Sequence, residues 1–116
     1  MPVTIVILQP MFIPWVGLFE QIRLADHYVH YDDVQLPQGR SFTTRVQIKT
    51  AAGIAWLSAP IDRTHSGSPI NETLLLSDKT WRVKHLKSLQ QWYARAPFAD
   101  EMLDIARRIY AFDSNN

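Results

Sequence analysis

The chain has 116 residues, a net charge of +1, and 47% hydrophobic and 20% charged residues, which suits one globular domain and excludes a disordered chain. Cysteine is absent, which removes disulfides, thiolate metal sites and cysteine nucleophiles and fits a reducing compartment. No apolar run approaches the roughly 20 residues of a membrane span, and residues 3–8 lack the basic start and the length of a secretory signal, so the expected location is cytoplasmic.

Val3, Ile5, Val6, Ile7 and Leu8 make a short, β-branched apolar run, the pattern of a strand buried on both faces. Gln9-Pro10 ends it, since proline cannot continue a central ladder. From Pro14 onward, Trp15, Leu18, Phe19, Ile22 and Ala25 line one face of a helix that ends near Asp26. Residues 28–34 are aromatic and β-branched and predict a second strand running into Asp32 and Asp33. Residues 42–49 alternate. Phe42, Thr44, Val46 and Ile48 point one way; Thr43, Arg45, Gln47 and Lys49 point the other. A hairpin loop at 50–53, with Gly53 at a positive φ, leads to a partner strand over 54–61. A loop covers 64–69 and a further short strand 71–76. Two helices follow. The first has Thr80 as its expected N-cap and turns Trp81, Leu86, Leu89, Trp92 and Tyr93 inward. Pro97 restarts the chain, and Phe98, Met102, Ile105, Ile109 and Phe112 form the second apolar stripe.

This order predicts a single α/β domain over residues 1–116: a Rossmann-like three-layer sheet with an antiparallel hairpin and C-terminal helices. A doubly buried first strand wants more neighbours than this stretch supplies. The expectation is therefore an incomplete domain, either the N-terminal part of a longer chain or one completed as a homo-oligomer.

Four places carry candidate chemistry. The turn from Gln9 to Gly17 joins a strand end to a helix start, where α/β folds bind ligands and free helix amides suit phosphate or carboxylate. Gln9 offers an amide there and Gly17 a close approach; the alternative is a tight structural turn with Trp15 in the core. Asp32-Asp33 is the second place. Neighbouring strand residues face opposite ways, so one carboxylate can orient a hydroxyl, hold a cation or act as a base while the other caps the turn. Third, Arg45 and Lys49 share the polar face of one strand and, with Arg40, could clamp an anion; the alternative is a solvated sheet face. Fourth, Lys84, Lys87, Gln91 and Arg95 line one helix stripe, a salt-sensitive nucleic-acid contact or a soluble face. Net charge near zero makes nucleic acid an unexpected partner. His27, His30, His65 and His85 show no zinc spacing, so no metal site is expected. His65 sits in a polar loop as a mobile acid–base group, and His85 is expected to pack. Neither a glycine-rich phosphate fingerprint nor a serine-hydrolase elbow is present in the sequence.

Gln9-Pro10, Pro14-Trp15-x-Gly17-x-Phe19, Asp32-Asp33-Val34-Gln35, Arg45 and Ile48-Lys49-Thr50 together resemble the WbqC-like protein family. Trp56-Leu57-Ser58-Ala59-Pro60-Ile61, Ile70-Asn71-Glu72, Trp81-Arg82 with Lys84-His85, and Tyr93-Ala94-Arg95-Ala96-Pro97-Phe98 follow in the family's order. The chain departs from the family's usual pattern at Met11, Phe12 and Thr44, and in a slightly longer segment between Val34 and Arg45. The resemblance implies a bacterial protein linked with surface polysaccharide, including O-antigen, biosynthesis. It implies a transferase, of an aminoacyl or related group, acting on a sugar or sugar nucleotide. Carried onto this sequence, it makes Asp32, Asp33 and Gln9 catalytic candidates. Arg45, Lys49, Trp15 and Gln35 become substrate-binding candidates, joined by Arg40 from the anion-clamp reading above, with the cofactor unassigned. The alternative is a non-catalytic module that binds an anionic sugar, a nucleotide or an assembly partner.

Overall fold

The computed structural model describes residues 1–39, 41–65 and 67–116. Arg40 and the His65 side chain, both candidates from the sequence, lie outside the described set. β1 (Ile5–Leu8) and β2 (His27–His30) pair in parallel, with α1 (Val16–Leu24) between them in sequence. Ile5 stands beside His27 and Leu8 beside His30. The pairing runs one residue further, with Tyr31 N–H donating to Leu8 C=O at 2.8 Å.

The expected double burial of β1 is not observed. Ile5 and Ile7 are each 57% exposed, and α1 buries only Leu18 of its apolar face. Periodicity reports which faces are apolar, not what covers them. Among the described residues no layer covers these.

β3 (Arg45–Thr50) and β4 (Gly53–Ser58) form an antiparallel hairpin. Val46, Ile48, Ala55 and Leu57 face the core, as the alternation predicts. Arg45, Gln47 and Lys49 face away together with their cross-strand partners Ser58, Trp56 and Ile54. Gly53 turns the hairpin at φ 113°, a conformation an L side chain would strain. Phe42 departs from expectation. It lies in a turn before β3, and its ring packs against Trp56, with centroids 6.0 Å apart. The partner strand stops at Ser58. The strand expected over 71–76 is replaced by a 3-10 turn, Ile70–Glu72, and a single bridge between Leu75 and Ile61.

α2 (Thr80–Tyr93) and α3 (Ala99–Ala111) close the inner face of the hairpin. The core joins Ile48, Leu57, Leu89, Leu103, Ala106 and Tyr110. Thr80 is the first helical residue rather than the cap. The Asp78 carboxylate accepts from its N–H at 2.8 Å and from its hydroxyl at 2.6 Å. Trp92 is 37% exposed rather than inward. α3 is rotated relative to the expected stripe: it buries Ala99, Leu103, Ala106 and Tyr110. Small alanines let it approach its neighbours closely, and the larger stripe of Phe98, Ile105, Ile109 and Phe112 turns outward.

The class is thus α/β, built from a parallel pair, an antiparallel pair and three helices. Among the described residues the strands do not join into one three-layer sheet. No helix among them is long and apolar enough to cross a membrane.

Candidate functional site

The parallel register sends both strands out of the sheet at one end, so Gln9 and Asp32 leave it on the same side. Past β2 the chain runs antiparallel to a later segment. Asn71 N–H donates to Asp32 C=O at 2.8 Å, Ile70 N–H to Val34 C=O at 2.9 Å, and Leu36 N–H to Ser68 C=O at 3.2 Å. A bridge between Gln35 and Pro69 belongs to the same contact. Asp32 is partly buried and Asp33 exposed; β2 ends at His30, so the strand expected over 28–34 stops before both carboxylates and strand alternation does not divide them.

The turn after β1 is held by Phe12 N–H donating to Phe42 C=O at 2.9 Å. Ile13 takes φ 44°, a left-handed conformation that costs a β-branched residue about 1–2 kcal/mol. Packing of Phe12 and Ile13 against the core cluster holds it there. Trp15 is the N-cap residue of α1 and is 61% exposed, so it is not core. Its ring lies over Gly17: a Cβ built there would fall 2.0 Å from a ring carbon. The close approach that Gly17 allows is therefore made by Trp15 itself. No side chain caps α1 and no acid occupies its first turn.

A cleft of about 400 Å³ opens at the base of the hairpin, within the size range of small-molecule sites. Arg45, Asp62, Arg63 and Glu72 are among its charged residues, and Ser58 and Thr73 among its hydroxyl residues. The Arg45 guanidinium carbon stands 3.7 Å from the centroid of the Trp56 ring. Its Nε is buried without a hydrogen-bond partner among the described residues. Gln35 reaches the rim, its Nε2 standing 3.7 Å from where a Cβ would lie on Gly67, a cleft residue. Lys49 sits at the far end of β3, about 13 Å along the strand from Arg45. Its N–H donates to Tyr93 Oη at 2.8 Å. The strand thus carries Arg45 to the cleft and leaves Lys49 exposed near the hairpin turn.

Behind the cleft, His85 Nδ1 lies 2.9 Å from Tyr110 Oη, both residues buried. Burial holds the His85 pKa below its ordinary value, against a hydrogen bond with the Ser58 backbone that raises it. Burial also pushes the Tyr110 hydroxyl up. Ser58 lines the cleft, so one residue links the ligand-sized space to the buried pair. Arg82, 6% exposed, donates to three carbonyls: Tyr110 at 3.1 Å, Phe112 at 2.7 Å and Ser114 at 2.6 Å. It thereby satisfies acceptors that the end of α3 leaves open.

Sequence reasoning missed the roles of Arg82, Arg63 and Glu72. Arg82 and His85 stand three apart, with Leu89 four further on, which is core-stripe spacing and was the available signal. Arg63 and Glu72 lie in three-residue 3-10 turns, too short to show a periodicity. Lys84, Lys87, Gln91 and Arg95 are all exposed.

The sequence profile of the WbqC-like protein family matches residues 9–116. An uncharacterized protein of Mycobacterium tuberculosis (strain ATCC 25618 / H37Rv), Rv1507c, is 33% identical over 109 residues, covering 91% of this chain and 46% of the relative. The chain therefore spans about half the length of the curated relative it matches. No solved structure matches it significantly.

Proposed function

The chain belongs to the WbqC-like protein family, and from that premise we propose that its cleft binds an anionic sugar, a sugar nucleotide or sugar phosphate. The protein then serves as a cytoplasmic transferase in bacterial surface polysaccharide, O-antigen-type, biosynthesis. The observation that carries this reading is Arg45, stacked on Trp56 and lining a cleft of about 400 Å³ beside the hydroxyl residues Ser58 and Thr73. A guanidinium fixed against a ring presents a planar fork to phosphate, and hydroxyls suit a sugar.

The proposed chemistry also draws on residues outside the cleft lining. Asp32 or Asp33 takes the proton of the acceptor hydroxyl, and the acceptor oxygen attacks the activated carbon of the donor. The phosphate leaves with the bonding electrons, its charge held by Arg45. Gln9 positions the acceptor, and Trp15 and Gln35 flank the ligand. Lys49 and Arg40 meet the charge of a longer donor. The left-handed Ile13 supports a functional turn, since such strain collects at binding sites. In this reading residues 1–116 are the N-terminal part of a Rossmann-like three-layer fold. The test is surface polysaccharide made by cells carrying Asp32→Asn or Asp33→Asn protein. Normal polysaccharide in both removes the catalytic role.

One observation favours a second reading. The cleft lining includes Arg45 and Arg63 but not Gln9, Asp32 or Asp33. A non-catalytic module for an anionic sugar, a nucleotide or an assembly partner needs only the cleft. It predicts that Arg45→Ala weakens binding while either Asp substitution is tolerated.

A further inference from the structure

Two apolar faces stand open on this chain. Around β1 and α1, Ile5, Ile7, Phe19, Ile22 and Leu24 are between 40% and 58% exposed. Among the described residues, β1 has β2 as its one strand neighbour, which leaves the other edge of β1 unpaired. Along α3 and its two cap residues, Phe98, Met102, Ile105, Ile109 and Phe112 recur at alternating spacings of four and three, the seam with which one helix packs against another; Met102 packs against the core and the other four stand open. Phe98, Ile105, Ile109 and Phe112 are between 57% and 72% exposed.

The total surface measures the missing cover. The chain exposes 8623 Å², whereas a compact protein of 13.4 kDa exposes about 6,500 Å². The excess, about 2,100 Å², exceeds the roughly 800 Å² that one partner gives to a standard interface and is of obligate size. The radius of gyration agrees, at 15.7 Å against about 13.4 Å for a compact chain of this length. The relative supplies the scale of the occupant. The matched region is 46% of it, so the rest is about as long again.

We propose that both faces are the inner seam of the family's larger protein, covered by the polypeptide that the relative carries outside the matched region. That polypeptide adds a strand to the free edge of β1 and lays an apolar helix stripe on α3. A second copy is the competing occupant, since a two-fold dimer covers both faces where they form one self-complementary patch. The inference deepens the reading of residues 1–116 as part of a larger fold and is independent of the sugar site.

The chain has no cysteine, so introduced thiols report cover directly. Phe19→Cys and Ile109→Cys are made here and at the aligned positions of the full-length M. tuberculosis protein, with Leu103→Cys as a buried control. The expected result is fast labelling of Phe19→Cys and Ile109→Cys in this chain and labelling slower by about tenfold or more in the relative. Equal labelling in the relative overturns the proposal. Slow labelling in this chain alone also overturns it, and sedimentation then shows whether a second copy is the cover. A second variant guards against a thiol that loosens the relative. Ile109→Glu should leave the melting temperature of this chain unchanged and lower that of the relative at the aligned position. A relative that tolerates the charge contradicts the proposal.

Discussion

The Arg45 guanidinium stacks on the Trp56 ring diagonally across the hairpin, 3.7 Å from the ring centroid, two ladder positions from its own partner Ser58. Stacking removes rotamer freedom from the arginine before any ligand arrives, so less is lost on binding. Trp56→Ala should therefore weaken sugar-phosphate affinity by about two- to fivefold, the equivalent of about 0.5–1 kcal/mol for an exposed cation–π contact. The hairpin should persist, because its other face carries the core residues. Calorimetric titration beside thermal melting separates the two effects.

Arg82 predicts a stability effect. Arg82→Ala strips the donor from the Tyr110, Phe112 and Ser114 carbonyls at once and leaves a cavity. Hydrogen bonds from a charged group contribute about 1.5–3 kcal/mol each but add poorly, so a loss of about 3 kcal/mol or more is expected. Arg82→Lys should recover little, since one ammonium cannot reproduce the guanidinium fork. Urea unfolding measures both.

His85 predicts a pH dependence. Its folded pKa lies below the ordinary 6.5 because burial disfavours the cation. Below pH 6.5 the unfolded state therefore binds a proton that the folded state refuses, and stability falls as pH drops toward the lowered folded value. Above pH 6.5 this contribution is fully present. His85→Gln should flatten the melting temperature across this window at a fixed stability cost, because Tyr110 Oη loses its ring partner. An equally steep profile in the variant would assign the dependence to another group.

Gly17 predicts a local rearrangement. In Gly17→Ala the new Cβ takes the place of the Trp15 ring, 2.0 Å from one of its carbons, so the ring must swing off α1. Alanine favours the helix by about 1 kcal/mol over glycine, so melting should not fall. Tryptophan emission should change, and Gly17→Ala in a Trp15→Phe background should not change it further.

What the sequence made legible was the local pattern. The hairpin alternation of Val46 and Ile48 against Arg45 and Lys49 is present because one face is buried and the other is not. The co-location of Gln9 and Asp32 followed from a parallel pair, whose strands leave the sheet at one end. What failed was the choice between two apolar stripes on α3. Hydrophobicity favoured Ile105 and Ile109, whereas close helix packing selected Ala99, Leu103 and Ala106. Among the described residues, Arg45 is the cleft residue that the sequence singles out as a candidate, since Arg63 and Glu72 arrive from segments whose path is set by tertiary pairing among residues 32–36, 60–62 and 68–76. Arg82 was hidden because a charged residue on a core stripe reads as an exception until its three carbonyls are seen.

The central claim is that the cleft takes an anionic sugar through Arg45. The most direct test is calorimetric titration of the purified chain with a set of sugar nucleotides and sugar phosphates, beside the Arg45→Ala and Lys84→Ala variants. The account predicts saturable binding of at least one ligand that falls by about tenfold or more in Arg45→Ala, as loss of a charge-assisted fork requires. It also predicts no change in Lys84→Ala. Binding of equal strength in the native chain and Arg45→Ala, or no binding by any member of the set, would contradict it.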